Sequence, residues 1–192
     1  MFKIAKKRTF NLKILRFFLI PTILVSTPFF NYIQEAKAGL EFQWDQDSSF
    51  RRLKWFQKEN KRRYRNPIYF FFRPSDRRTD LLKINLVIPK TFKSTLKNEK
   101  ISFCKVRIGG FENRTKCLED IPADIEINTD ESGLRSLDIY PYSPIISNKD
   151  NYAIVFKVFN PKKSGLYQFH SYGQPKGKSS STYLGSWTIV ID

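Results

Sequence analysis

From Ile68 to the last residue, apolar positions recur at the period of β-strands, in short runs separated by turn residues. "IYFFFR" leads into the turn "PSDRRTD", and "LKINLVIP" then sets Leu82, Ile84, Leu86 and Ile88 on one face against Lys83 and Asn85 on the other. "KISFCKVRI", "ADIEIN" and "SLDIYPY" continue the alternation, the last two joined by the turn "TDESG". "NYAIVFKVF" is apolar on nearly both faces, as a central strand should be, and "NPKKSG" turns it into "GLYQFHSYG". The final run, "TYLGSWTIVID", alternates Tyr183, Trp187, Ile189 and Ile191. About eight strands at this spacing predict an all-β chain folded as an antiparallel β-sandwich of immunoglobulin-like type.

One segment ahead of the strands follows a different period. In "DSSFRRLKWFQKENKRR", helical spacing places Phe50, Leu53, Phe56 and Tyr64 on a common stripe, with Asp47 or Ser48 as the cap and Trp55 projecting from a basic arc. An extended arm is the alternative, because the segment is short and the chain around it is β-rich. The resulting organisation is a leader over residues 1–38, a basic N-terminal segment over 39–65 and a β-sandwich domain over 66–192.

The leader rests on its own pattern. Lys3, Lys6, Lys7, Arg8, Lys13 and Arg16 precede the apolar run "FFLIPTILVSTPFF", and Ala36-Lys37-Ala38 supplies a small-x-small cleavage site, which together read as a secretory signal peptide. Pro21 and Pro28 interrupt the apolar run and leave it poorly suited to spanning a membrane as an anchor. "KKRTFNLK" approaches a twin-arginine export motif, with Lys7 where the first arginine belongs. The expectation is an exported protein.

Charge then singles out one stretch. The chain has 34 Lys and Arg against 18 Asp and Glu, and beyond the leader 27 basic and 17 acidic residues remain. Eleven of those cations lie between Arg51 and Arg78, against only Glu59 and Asp76, so the rest of the domain is close to neutral. The candidates for binding an anionic surface are therefore Arg51, Arg52, Lys54, Trp55, Lys58, Lys61, Arg62, Arg63 and Arg65. Lipid headgroups, cell-wall polymer and an acidic face of a membrane protein are the partners such a patch suits. Basic residues interleaved with aromatics also suit single-stranded nucleic acid, but an export signal removes the protein from most of it. The plainer alternative is a solvated charged face.

Chemistry beyond charge is sparse. Cys104 and Cys117 are the two cysteines, and in an exported chain they are expected to form a disulfide. If "GGFE" is a four-residue hairpin loop, Ile108 pairs with Asn113 and Cys104 falls directly opposite Cys117. His170, the one histidine, has no motif that would place a carboxylate and a nucleophile beside it. Acidic residues stand in turn-like surroundings, as Asp45 and Asp47, Glu119 and Asp120, and Asp130 and Glu131 do, and nothing favours any two of them as a glycosidase pair. Asn113 opens the sequon "NRT", which on a tight hairpin loop reads as turn chemistry. No catalytic residue, metal or cofactor is expected.

The order of features in the C-terminal half resembles a known family. Ile88-Pro89, Asn160-Pro161, Gly165-Leu166-Tyr167 and Leu184-Gly185 stand where the exported cyanobacterial proteins of domain-of-unknown-function family 2808 carry their strand and turn markers. The resemblance covers roughly residues 82 to 192, with "SPIISNKD" in place of the family's proline-rich turn. It implies a β-rich exported domain, in the periplasm, thylakoid lumen or cell envelope, and brings no catalytic residues. The functional expectation is a non-enzymatic binding or structural module that meets an anionic surface through its basic segment. A cell-wall or extracellular polysaccharide hydrolase, and a nucleic-acid-binding protein should the chain stay inside the cell, are the alternatives.

Overall fold

The computed structural model describes residues 51–110, 113–147 and 149–192, so the leader and the first residues of the basic segment lie outside it. The described chain is almost wholly strand: β1 (Trp55–Gln57), β2 (Arg65–Phe72), β3 (Leu81–Ile88), β4 (Ile101–Arg107), β5 (Lys116–Asp120), β6 (Ala123–Thr129), β7 (Arg135–Pro141), β8 (Tyr152–Phe159), β9 (Gly165–Pro175) and β10 (Thr182–Ile191). They form two five-stranded antiparallel sheets, in the orders β1-β2-β8-β4-β5 and β10-β9-β3-β7-β6. The architecture is the expected sandwich, with ten strands rather than about eight. Among the described residues no helix is long and apolar enough to cross a membrane.

The core follows from strand alternation. Ile68, Phe70 and Phe72 of β2 and Ile154 and Phe156 of β8 point inward and meet Phe169 of β9 and Trp187 of β10, with ring centroids of Phe70 4.8 Å from Phe169 and 5.1 Å from Trp187. Burying a large apolar side chain of this kind contributes about 1.5–3 kcal/mol. The Trp187 indole N–H donates to the Lys54 carbonyl at 3.0 Å, which satisfies the one polar group of that ring.

β8 is buried on both faces, as its sequence requires. Ala153 and Val155 turn away from the main core into a second cluster with Phe71, Cys104 and Val106, on the outer face of the first sheet. β3 differs from its expected pattern at one end. Its register with β9 slips between Leu81 and Lys83, so Leu81 enters the core and Leu82 faces solvent. One extra residue in a bulge moves the next side chain to the opposite face. A similar slip at Tyr183 and Gly185 lifts Tyr183 out of the core set of β10 while Trp187, Ile189 and Ile191 remain in it.

Residues 51–65 form no helix. Arg52 bridges to Ser186 of β10, with the Leu53 N–H donating to the Ser186 carbonyl at 2.8 Å and the Ser186 N–H to the Arg51 carbonyl at 2.7 Å. Three residues later β1 pairs with β2, matching Trp55 with Phe70. The segment therefore ties an edge of each sheet together, and Leu53 is part of the core. A helix would have left both edges open, so sheet pairing overrides the helical period. The sandwich begins before the expected boundary at residue 66. Gly185 makes the crossing possible: it has φ +146°, and a Cβ there would lie 2.7 Å from both the Arg51 carbonyl oxygen and Leu53 Cγ.

Candidate functional site

Seven of the nine residues expected to bind an anionic surface separate into three groups, while Arg52, exposed on the bridge to Ser186, and Trp55 stand apart. Arg51 is tied down at one end of β2. Its guanidinium lies 3.7 Å from Asp76 and also donates to the backbone carbonyls of Ser75 and Asp76. The Asp76 carboxylate is buried and takes a two-pronged bond from Arg73, Nε to Oδ2 at 3.0 Å and Nη2 to Oδ1 at 2.9 Å. That hydrogen bond raises the Arg73 pKa further above its ordinary range. Arg77, also within the basic stretch, is buried and spends its donors on the carbonyls of Phe72, Ile146 and Asp150, and burial lowers its pKa. These arginines hold the fold.

Trp55 is a correction to the sequence reading. Paired with Phe70 in β1, it packs against the main core and does not project from a basic arc. Phe56, its neighbour, takes the outer face and is exposed. Leu53, Phe56 and Tyr64 do not share a stripe either: the first is buried while the other two are exposed.

The second group sits at the opposite end of β2, on the turn from Lys58 to Tyr64. Two buried asparagines clamp it. Asn66 Oδ1 accepts from the N–H groups of Lys58 at 3.0 Å and Glu59 at 3.3 Å, and its Nδ2 donates to the Glu59 carbonyl and to Asn160 Oδ1. Asn160 Nδ2 donates to the carbonyls of Glu59 at 3.0 Å and Lys61 at 2.8 Å. The Asn-Pro marker of the sequence thus has a structural task. Arg63 adopts a left-handed conformation, φ 58°, and its N–H reaches the Pro161 carbonyl. Lys61, Arg62 and Arg63 consequently stand in solvent beside Lys162 and Asp192, around a hollow of about 600 Å³. Tyr64, Phe159 and Leu166 are 55%, 60% and 70% exposed, and Phe159 pairs across the strands with Arg65.

The third group lines the outer face of the first sheet. Three adjoining hollows, of about 660, 370 and 350 Å³, share Phe56, Pro67, Tyr69, Gly109 and Thr115 between them. Together they make one groove, with Phe56, Tyr69 and Phe71 on its floor and Ile108, Gly109, Gly110 and Thr115 along one side. The Phe56 and Tyr69 rings lie 6.1 Å apart, and Tyr69 and Phe71 6.4 Å. Burial raises the Tyr69 pKa, so its phenol stays protonated. Lys54, Lys58, Arg65, Arg73, Arg114 and Lys157 line this groove, and among the described lining residues there is no carboxylate. Lys54, Lys58 and Arg65 belong to the stretch singled out by charge. Arg114 and Lys157 do not; the first arrives from the connection between β4 and β5 and the second from β8, and no local pattern announced them.

The disulfide anchors one side of the groove. Cys104 and Cys117 are bonded, with Cα atoms 5.7 Å apart. The register differs from the expected one: Cys104 lies opposite Asp120 and Cys117 opposite Val106, with a slip between Lys105 and Val106. The connection between β4 and β5 is therefore longer than four residues, and within it the Gly109 N–H donates to Thr115 Oγ1 at 2.9 Å and the Gly110 N–H to the Asn113 carbonyl at 3.0 Å. The Thr115 hydroxyl and the Asn113 backbone of the sequon are used in this turn.

Elsewhere the chemistry is confined. His170 Nδ1 lies 2.8 Å from Ser186 Oγ, and the Tyr183 hydroxyl 2.6 Å from the same oxygen. Ser186 is fully buried, and among the described residues no carboxylate is hydrogen-bonded to His170. Asp138 accepts from Asn85 at 2.7 Å, Asn128 at 3.1 Å and Lys83 at 3.0 Å, so both its oxygens are occupied. Among the described residues no cluster of His, Cys, Asp and Glu suits a metal ion.

Comparison with known proteins adds the following. A family model described as "Protein of unknown function (DUF2808)" matches residues 43–191. Among curated proteins none matches the sequence. Among solved structures, BslA, a bacterial hydrophobin, is similar at a TM-score of 0.41 and 11% identity, over 73% of this chain and 91% of that one. The collagen-binding domain of a Staphylococcus aureus adhesin is similar at 0.38 and 12%, over 72% and 95% of the two chains. The collagen-binding subdomain of the Enterococcus faecalis surface protein ACE is similar at 0.38 and 8%, with the same coverage. None of the three bears on what this chain binds.

Proposed function

This chain belongs to the DUF2808 family, and we propose that it is an exported, non-enzymatic binding module that attaches to an anionic envelope surface through its basic segment. The leader pattern of residues 1–38 and the Cys104–Cys117 bond support export to an oxidising compartment such as the periplasm, thylakoid lumen or cell envelope.

One observation carries the binding reading. Of the eight cations between Arg51 and Arg65, only Arg51 has an ion-pair partner among the described residues, and Arg52, Lys54, Lys58, Lys61, Arg62, Arg63 and Arg65 are all exposed. Seven like charges on so short a segment repel one another, and a fold that clamps the turn with two buried asparagines keeps them presented. Near an anionic surface each contributes about 1 kcal/mol, weakened by salt. The exposed Tyr64, Phe159 and Leu166 add apolar contact beside them.

The test is sedimentation of the protein with negatively charged envelope fragments. Replacing Arg62, Arg63 and Arg65 with Ser should release most of it into the supernatant at low salt. An unchanged pellet would remove this reading.

A further inference from the structure

We infer that the groove on the outer face of the first sheet is a binding site for a single extended chain of acidic polysaccharide, its sugar faces on Phe56 and Tyr69 and its carboxylates on the flanking cations. This rests on the anionic-surface reading above and names the chemistry of its partner.

Three features choose the occupant. The groove follows β2 from Arg65 to Arg73, roughly 25 Å at the rise of a strand, so it fits an elongated ligand rather than a compact one. Gly109, Gly110, Asn113 and Thr115 line it beside the aromatic rings, so a ligand seated there meets backbone and side-chain polar groups along one side. The floor is aromatic while the sides are cationic, and a ligand that uses both must carry apolar ring faces and regularly spaced anions. Polyphosphate lacks the ring faces. Acidic glycans and single-stranded nucleic acid have both, and the proposed export favours the glycan.

The polar side chains are arranged for such a chain. Lys58 and Arg114 line the largest of the three hollows together with Asn113, an exposed neutral side chain able to donate to a sugar hydroxyl. Arg65 and Lys157 line the adjoining one. Among the described residues none of these four cations has an ion-pair partner.

The experiment titrates the protein with an oligogalacturonate at low salt, following tryptophan fluorescence, since Trp55 borders the groove. A neutral glucan of equal length, a thymidine oligonucleotide and phosphatidylglycerol vesicles are run beside it. The inference expects saturable binding of the oligogalacturonate, no binding of the glucan, and an affinity at least tenfold weaker when Lys58, Arg114 and Lys157 are replaced with Ser. Phe56→Ala should weaken binding severalfold without altering its salt dependence, a split that a purely electrostatic site would not produce. Tighter binding of the oligonucleotide, or of the vesicles, overturns the inference. So does oligogalacturonate binding that the triple replacement leaves unchanged. If envelope sedimentation still depends on Arg62, Arg63 and Arg65 while the oligogalacturonate fails to bind, the groove assignment falls and the anionic-surface reading stands. If neither occurs, both fall.

Discussion

Arg63 and Asn160 show how single residues shape the basic turn. Arg63 sits at φ 58°, where a side chain is crowded against the following carbonyl and only glycine is at ease. Arg63→Gly should therefore stabilise the fold by about 1 kcal/mol, read as a higher urea midpoint, while weakening attachment to anionic surfaces. A loss of stability would show that the arginine side chain holds the turn. Asn160 is buried and its amide holds three partners, the carbonyls of Glu59 and Lys61 and the amide of Asn66. Asn160→Ala leaves these unmatched and should cost about 2–3 kcal/mol. The loosened turn should also be cut faster by trypsin between Lys61 and Arg65, the segment that the two asparagines clamp. Unchanged cleavage would mean that the backbone alone fixes it.

Among the elements, the strut that joins the sheet edges depends on one close approach. Gly185→Ala puts a methyl group 2.7 Å from the Arg51 carbonyl oxygen, at a φ of +146°. It should destabilise by about 2 kcal/mol or more, read in the same denaturation experiment, and the alanine protein should lose protection of the Leu53 and Ser186 amides to hydrogen exchange. Strands β3, β8 and β10 were readable because alternation and two-sided burial are properties of a strand alone. The bulges at Leu82 and near Tyr183 were not, since a slip in register belongs to a pair of strands. The sequence left this strut open between a helix and an extended arm for the same reason. "FRRLKWF" carries a helical stripe, and only the open edges of β2 and β10 make its extended form preferable. Half of the groove was visible as charge in Lys54, Lys58 and Arg65, but Arg114 reaches it from the connection after β4 and Lys157 through the pairing of β8 with β2, neither of which a local window contains.

For the whole molecule, stability and charge are placed in different parts of the fold. The core lies between the sheets and is independent of the exposed cations, so replacing Lys58, Arg62 or Arg65 with Ser should alter binding with little change in the urea midpoint. Reducing the Cys104–Cys117 bond, which joins residues 13 apart in sequence, should cost about 3 kcal/mol. High pH acts on the core through its tyrosines. Burial raises the pKa of Tyr69, Tyr152 and Tyr167 above the ordinary value near 10, so the unfolded chain releases these protons first and stability should fall as pH rises past 10. Attachment is a property of the cationic surface, and salt is its direct probe. The decisive measurement is the affinity of the protein for negatively charged envelope fragments as sodium chloride is raised. The account predicts a steady loss of affinity that becomes shallower when Arg62, Arg63 and Arg65 are replaced with Ser. An affinity indifferent to salt, and equal in the two proteins, would contradict it.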